Sequence, residues 1–499
     1  MRTLELNSEY YGVSRLQLME NAGRAVAQEI RARFKPDKTK VALFCGSGGN
    51  GGDGFVIARH LASYGFRIAV ILAGKSKDIT DEEARKNWLA LQSLKNVVSL
   101  REAYDSSTIP SVEANVVVDA LLGIGLKGTP RPPISQMIKR INESKAFCVA
   151  VDVPTGINSD TGEIFGEAVS ADLTVTFHKV KPALDKAEAQ VGELVIMKIG
   201  LPEEFERFAG PGDVKLAIKK RSTEAHKGDF GRLLVVGGSE TFSGAPTLVA
   251  LAALRAGVDL VYIAAPHKIA HVISSISPDL ITVKMEGDHL NTGNISIIRR
   301  HLGTSTAVVM GPGLGLHKDT RDAVKEIIKA VEERKTPLLL DADGLKAFAE
   351  FKRKVGSPVV LTPHAGEYKL LTGQVPPKDL NERAEDVRKT AEDLDAIVVL
   401  KGNTDIISDG TRVKLNFTGN PGMTVGGTGD VLSGVIGAFL AWGSNPFEAA
   451  VAGSFINGAA GDFVKDQKGY HIVPTDLLEW IPKVMNDPMS HLKVRRSAT

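Results

Sequence analysis

The stretch Asn420-Pro421-Gly422-Met423-Thr424-Val425-Gly426-Gly427-Thr428-Gly429-Asp430 runs directly into an apolar series, Val431, Leu432, Val435, Ile436, Phe439 and Leu440. That series has the spacing of a buried helix. The glycines before it predict a tight loop at the positive end of the helix. Successive N–H groups at Gly427, Thr428 and Gly429 would form one cavity, suited to a phosphoryl group as charge builds on it. Asp430, in the first turn, would face the same place and take the proton of an attacking hydroxyl. The plainer alternative is a glycine loop followed by an aspartate helix cap.

Upstream, apolar strands alternate with helical patterns at Arg232–Val236, Leu260–Ala264, Ala307–Met310, Pro337–Leu340, Val359–Leu361 and Ala396–Leu400. The first part of the chain has the same grammar. Strands at Lys40–Cys45, Phe66–Leu72, Val116–Leu122 and Phe147–Val153 alternate with helices at Ser14–Arg33, Gly54–Tyr64, Asp81–Leu94 and Ile134–Ser144. Such alternation predicts parallel sheets covered on both faces, with ligands at the carboxyl ends of the strands. A break falls at Phe205–Lys227, marked by Gly210-Pro211-Gly212 and Lys219-Lys220-Arg221. A chain of 499 residues also exceeds what one core supports. The expectation is α/β: two three-layer αβα domains, residues 1–213 and 214–499.

Composition narrows the function. Lys+Arg 61 against Asp+Glu 59 leaves no basic excess for nucleic acid. No uncharged apolar run is long enough to span a membrane, and Met1-Arg2-Thr3-Leu4-Glu5 opens no leader. The two cysteines, Cys45 and Cys148, lie in strand-like runs and read as reduced core residues of a cytoplasmic protein. Glycine is in surplus, 50 residues, and clusters in Gly46–Gly54, Gly123–Gly128 and Gly422–Gly429. Clusters after strands read as backbone that faces phosphate or nucleotide. P-loop, H-E-x-x-H, C-x-x-C and G-x-S-x-G patterns do not occur.

In the first part, Gly46-Ser47-Gly48-Gly49-Asn50-Gly51-Gly52-Asp53-Gly54 follows a strand and precedes a helix. Gly46, Gly48 and Gly51 fit a dinucleotide fingerprint, but the next strand ends Ile71-Leu72-Ala73-Gly74, with no carboxylate for a ribose. An ordinary dehydrogenase site is therefore disfavoured. Two further strand ends, Asp119-Ala120-Leu121-Leu122-Gly123-Ile124-Gly125-Leu126-Lys127-Gly128-Thr129 and Val151-Asp152-Val153-Pro154-Thr155-Gly156, would converge on the same place. Asn50, Asp53, Asp119, Asp152 and Thr155 are hard oxygen donors, suited to a hard cation or a polar substrate. Each aspartate taken singly could instead cap a helix.

These strings, with Leu18-Met19-Glu20-Asn21-Ala22-Gly23, resemble the epimerase domain of the NAD(P)H-hydrate repair enzymes over roughly residues 1–210. The resemblance implies a Rossmann-like domain holding potassium at Asn50, Asp119 and Thr155. Its substrate would meet Gly49, Asn50, Gly51, Gly52 and Asp53, then Gly123, Ile124, Gly125, Leu126, Lys127, Gly128 and Thr129, and Asp152. The family loop usually reads Asn-Asn before Gly-Gly, and here it reads Gly49-Asn50. Position 49 can then act only through its backbone.

The second part resembles the ribokinase-like superfamily. It is similar over about 215–490 to the ADP/ATP-dependent NAD(P)H-hydrate dehydratases. The strings that carry this are His226-Lys227-Gly228-Asp229-Phe230-Gly231, Val236-Gly237-Gly238-Ser239, Leu340-Asp341-Ala342-Asp343-Gly344-Leu345, Leu361-Thr362-Pro363-His364-Ala365-Gly366-Glu367 and Lys401-Gly402-Asn403-Thr404-Asp405. The resemblance implies ADP on Lys401, Gly402, Asn403, Thr404 and Asp405 and on Asn420, Pro421, Gly422, Met423, Thr424, Val425, Gly426, Gly427, Thr428 and Gly429. Hydrated NADH or NADPH would meet Gly313 and His364, with Asp430 at its reacting hydroxyl. His364 could equally be a satisfied turn residue, Lys401 a solvated strand end, and Asp341 and Asp343 turn carboxylates.

The expected protein is thus bifunctional. One domain would interconvert the R and S hydrates, with Asp152 as the acid/base. The other would dehydrate the S form with ADP and magnesium, with Asp430 as the base. A homo-oligomer acting on small molecules, without nucleic acid or membrane, is the expected context. The alternatives are a ribokinase-like kinase of a vitamin-like alcohol and an RNA-associated scaffold that has lost catalysis.

Overall fold

The apolar runs become the central strands of two sheets in a computed structural model. It describes all residues except Val112, Lys127, Ala498 and Thr499 and, at Arg496 and Ser497, the backbone alone. The chain divides into two compact units, Gly12–Pro202 and Met1–Tyr11 with Glu203–Thr499.

The first unit holds β1 (Lys40–Cys45), β2 (Arg67–Ala73), β3 (Val98–Ala103), β4 (Val116–Ala120), β5 (Phe147–Val151), β6 (Leu173–Phe177) and β7 (Glu193–Met197). Their order is β3-β2-β1-β4-β5-β6-β7, and every pairing is parallel. The order reverses between β1 and β4, which opens a crevice at their carboxyl ends. Helix Arg15–Arg33 starts at Ser14, whose hydroxyl forms a capping box with Gln17.

The next helix, Gly49–Ser63, begins earlier than expected and takes in most of the glycine loop. Packing is the reason. A Cβ on Gly51 would lie 1.8 Å from the Gly46 carbonyl oxygen, one on Gly52 2.6 Å from Met19 Cε, and one on Gly54 2.6 Å from Cys45 Sγ. Only Gly48 and Gly49 in this helix start have no protein atom within 4 Å of where a Cβ would stand. Gly51, Gly52 and Gly54 thus also serve close approach of the helix to β1 and its neighbours, a packing role beside the ligand-facing one expected for the cluster.

The second unit holds β8 (Arg232–Val236), β9 (Leu260–Pro266), β10 (Ile281–Met285), β11 (Ala307–Met310), β12 (Leu338–Leu340), β13 (Val359–Leu361), β14 (Ile397–Leu400), β15 (Asp405–Ser408) and β16 (Val413–Asn416). The order is β10-β9-β8-β11-β12-β13-β14-β15-β16, parallel as far as β14 and antiparallel after it. Alternate residues feed two cores: Leu233 and Val235 face one, Leu234 and Val236 the other. The helix after the glycine loop runs Thr428–Ala441, is almost wholly buried, and packs on Gly244–Arg255 and Pro446–Lys468.

Helix Arg2–Tyr10 belongs to this second unit. Asn7, fully buried, donates from Nδ2 to Asp213 Oδ2 at 2.7 Å and accepts from Gly212 N at 2.8 Å. Lys414 Nζ pairs with Asp213 at 3.0 Å. Tyr10, Ala209, Val214 and Ala217 enter the same core as the Thr428–Ala441 helix. The compact units divide between Pro202 and Glu203, and the first eleven residues group with the second unit.

Cys45 and Cys148 are free and buried. Among the described residues no helix is long and apolar enough to cross a membrane.

Candidate active sites

In the first unit, Asp119 lies in β4, fully buried. Its Oδ1 accepts from the Thr155 hydroxyl at 2.7 Å and from Leu121 N at 3.2 Å, and its Oδ2 from Thr155 N at 2.8 Å. Burial pushes its carboxyl up to about 6, against those hydrogen bonds. Leu122 N donates to the Thr155 hydroxyl at 3.0 Å. Gly123 follows, and a Cβ there would stand 3.4 Å from Asn50 Oδ1. Asn50 Nδ2 is buried without a hydrogen-bond partner. Asn50, Asp119 and Thr155 are thus drawn together across three strand ends.

Asp152 follows β5 with φ 67, a strained conformation for a side chain that is not glycine. Its Oδ1 accepts from Thr176 Oγ1 at 3.1 Å and from Lys181 Nζ. Lys181 also donates to Thr176 Oγ1 and to the Phe177 carbonyl, each at 2.9 Å. Asp152 and Lys181 are 9% and 6% exposed. The sequence reading missed Lys181. It follows β6, whose alternating threonines hide the strand, and its pairing with residue 152 is a tertiary contact. Asp53 is half-buried in the glycine helix, and Gly125, Gly128 and Thr129 are exposed beyond Gly123 and the half-buried Ile124 and Leu126. Lys127 lies outside the described residues.

In the second unit the Thr428–Ala441 helix starts at Gly427, with φ 104 and no side-chain cap. A Cβ on Gly427 would meet Pro474 at 2.7 Å and Leu248 at 2.9 Å. With no side-chain cap, its first-turn amides can serve an anion. Asp430 is not the cap. It stands inside the first turn, where burial pushes its carboxyl up to about 7, with Asp341, Asp343 and Glu367 adding to the rise and Lys401 opposing it.

Lys401 Nζ pairs with Asp341 Oδ1 at 2.9 Å, and the Ser433 hydroxyl donates to Asp341 Oδ2 at 2.7 Å. Burial raises Asp341, but the Lys401 ammonium and these hydrogen bonds outweigh it and hold the carboxyl below its ordinary value. Burial lowers Lys401, and Asp341 with Glu367 more than reverses that. Asp343 accepts from Gly315 N and from Lys346 Nζ, both at 2.9 Å. Gly313 has φ 67, and a Cβ there would stand 2.8 Å from the Cβ of the exposed Phe242. Phe242 and Ser433 were not singled out in the sequence, since neither stands in a motif.

His364 pairs backbone with Lys401 and caps helix Ala365–Thr372. Its Nδ1 accepts from Gly366 N at 3.0 Å and Glu367 N at 3.2 Å, so the ring proton is on Nε2. Asp405 accepts from Gly402 N at 3.0 Å and Asn416 Nδ2 at 3.1 Å, and burial pushes it up to about 6. Gly402 and Asn403 are exposed and Thr404 half-buried. In the glycine loop, the Thr428 hydroxyl donates to the Met423 carbonyl at 2.8 Å, and Gly426 is exposed. Pro421, Gly422 and Thr424 form a short turn capped by Asn420 Oδ1, and Val425 is partly exposed. The Asn420 side chain is thus spent on the loop's own architecture.

An uncapped glycine helix start, a nearby aspartate and an adjacent lysine–aspartate pair fit the class of αβα enzymes that handle phosphoryl groups, here joined to a Rossmann-like unit. Family models agree. Residues 233–483 match the NAD(P)H-hydrate dehydratase family, and residues 15–183 match the YjeF-related protein N-terminus. The bifunctional NAD(P)H-hydrate repair enzyme Nnr of Pyrobaculum aerophilum is 45% identical over 492 residues, covering 97% of each chain. That of Hyperthermus butylicus is 43% identical, over 97% of this chain and 91% of its own. The chain belongs to the bifunctional NAD(P)H-hydrate repair enzyme family. Among solved structures, a ribokinase-like protein of Enterococcus faecalis shares the fold at 24% identity and TM-score 0.50, over 56% of this chain and 95% of its own. The ADP/ATP-dependent NAD(P)H-hydrate dehydratase of Bacillus subtilis, co-crystallised with ATP/Mg2+, is 28% identical over 56% of this chain and 97% of its own, with TM-score 0.47.

Proposed function

We propose that this chain carries both activities of its family. The Gly12–Pro202 unit would interconvert the R and S hydrates of NADH and NADPH, and the other unit would dehydrate the S form with ADP. The observation that carries the second assignment is Asp430 inside the first turn of an uncapped helix, beside Lys401 and Asp341.

Asp430 accepts the proton of the hydrate hydroxyl. The hydroxyl oxygen takes the terminal phosphoryl group of ADP, and AMP leaves. The amides of Thr428 and Gly429 hold the charge on the phosphoryl oxygens. The ring nitrogen's lone pair then expels phosphate, and loss of a proton from the adjacent ring carbon restores the dihydropyridine. Asp341, Asp343 and Glu367 all act on Asp430, with Lys401 on Asp341 and Lys346 on Asp343, and four carboxylates to two lysines leave a surplus of negative charge that fits a magnesium ion. Magnesium, when bound, would neutralise the nucleotide phosphates.

In the first unit a buried carboxylate, Asp119, is met among the described residues by uncharged donors, which fits a monovalent cation such as potassium held with Asn50 and Thr155. Potassium would supply the compensating charge. Asp152, oriented by Lys181 and Thr176, is the acid/base of epimerisation. We further infer a cytoplasmic homo-oligomer. The free cysteines support the compartment, and exposed Val272, Ile276 and Ile281 support association. Sedimentation would test the latter.

The test is direct. Purified protein, both hydrate epimers, ADP and magnesium are mixed and followed by chromatography. Consumption of both epimers with release of AMP and phosphate is expected, and consumption of neither sinks the reading. A stable phosphorylated product would identify a kinase instead.

A further inference from the structure

The entry to the glycine loop is anchored on Asp462, in helix Pro446–Lys468. Its Oδ2 accepts from Gly419 N at 2.9 Å and its Oδ1 from Asn420 Nδ2 at 3.0 Å. Asn420 Oδ1 then accepts from Gly422 N at 3.0 Å. On its far side, Asp462 Oδ2 lies 3.0 Å from His491 Nε2, and His491 Nδ1 lies 2.6 Å from the Tyr10 hydroxyl. Tyr10 and His491 are 3% and 2% exposed.

The polarity of this chain follows from its ends. Gly419 N and Asn420 Nδ2 can only donate, so Asp462 accepts. His491 Nε2 then donates to that carboxylate, and its Nδ1 meets the Tyr10 hydroxyl. Burial pushes Tyr10 up to about 12, so the hydroxyl keeps its proton. Arg495 clamps the tyrosine, with its guanidinium 4.7 Å above the ring and Nη1 donating to the Tyr10 carbonyl at 3.2 Å. Downstream, Met423 is wedged against Gly458 and Gly461 of the same helix, directly or through Gly419, and its carbonyl accepts from Thr428. A shift at Gly419–Asn420 is therefore passed to Gly427–Asp430.

We propose that Tyr10, His491 and Asp462 form a positioning relay through which the first helix of the chain sets the glycine loop for its nucleotide. The relay rests on the reading of Asn420–Gly429 as the ADP loop. None of its members touches the reacting atoms.

The test uses the full chain carrying Tyr10→Phe, His491→Leu or His491→Gln. Dehydration is measured with saturating S hydrate and varied ADP, and epimerisation is followed as an internal control. Tyr10→Phe and His491→Leu should raise the KM for ADP about five- to tenfold, the loss of one buried hydrogen bond, with kcat within about twofold. His491→Gln offers an amide N–H to Asp462 and a carbonyl oxygen to Tyr10, and it should recover most of that loss. An unchanged KM in all three variants overturns the relay. So does a joint fall of kcat and rise of KM that Gln does not rescue. Should His491→Leu fail to fold, Tyr10→Phe, which removes a single oxygen, decides alone. If the unaltered protein turns over hydrate without consuming ADP, the nucleotide reading fails, and the relay falls with it for that separate reason.

Discussion

Asp430 is a base whose protonation is set by its surroundings. Its carboxyl, pushed up to about 7, is mostly protonated below that pH and cannot accept a proton there. Dehydration should accordingly rise with pH through about 7 and then level off, and a rate flat between pH 5 and 9 would remove Asp430 from the role. Asp430→Asn, nearly isosteric, should slow dehydration about 10²–10⁴-fold and leave epimer interconversion unchanged, as read by chromatography. The paired residue in the other unit is Lys181. Its ammonium is the cation that meets the buried, strained Asp152. Lys181→Met strands that carboxylate and should cost about 3–5 kcal/mol of stability, with loss of epimerisation while the S form is still dehydrated. An unaltered melting temperature and epimerisation rate would show that Lys181 neither supports nor tunes Asp152.

At the scale of elements, the glycine-capped helix is the part that sets the phosphoryl site. Gly427→Ala places a Cβ against Pro474 and Leu248 at a left-handed φ. A cost of about 1–3 kcal/mol and a weaker grip on ADP are expected, seen as a lower melting temperature and a raised KM. Unchanged ADP affinity would mean that the helix start does not hold the nucleotide. This helix was legible because glycine, threonine and an apolar period coincide at Asn420–Leu440. Other elements were not. The strands β3, β7 and β10 lie at sheet edges, where exposed residues such as Arg101, Glu193 and Lys284 break the apolar run. The strand β6 is fully buried yet carries Thr174 and Thr176, whose hydroxyls are satisfied by the Val191 carbonyl and by Asp152. Glycines were legible as punctuation but ambiguous in purpose. Gly51 and Gly427 look alike in sequence, and only the structure shows that one admits a neighbouring backbone while the other, in a left-handed conformation, starts a helix that no side chain caps. Lys181 and Ser433 reach Asp152 and Asp341 through tertiary contacts that local patterns do not record.

For the whole molecule, the division into two units predicts two calorimetric transitions. ADP should raise one of them, by about 2.7 kcal/mol at a hundredfold excess over its dissociation constant, and leave the other in place. Asn7→Ala removes the amide that joins Gly212 and Asp213. Although residue 7 precedes the first unit, the variant should lower the transition that responds to ADP. A fall in the other transition would contradict the assignment of the first helix.

That helix also imposes an order on synthesis. Tyr10 leaves the ribosome about 480 residues before His491 and Arg495, which close around it. At ordinary elongation rates the helix waits about half a minute to a minute and a half for them. During that interval Gly12–Pro202 can fold as a loop between two unfinished ends, while the second unit stays open. A chain that stops short of residue 491 therefore lacks its clasp, and translation past Arg495 becomes a condition for the second site to form.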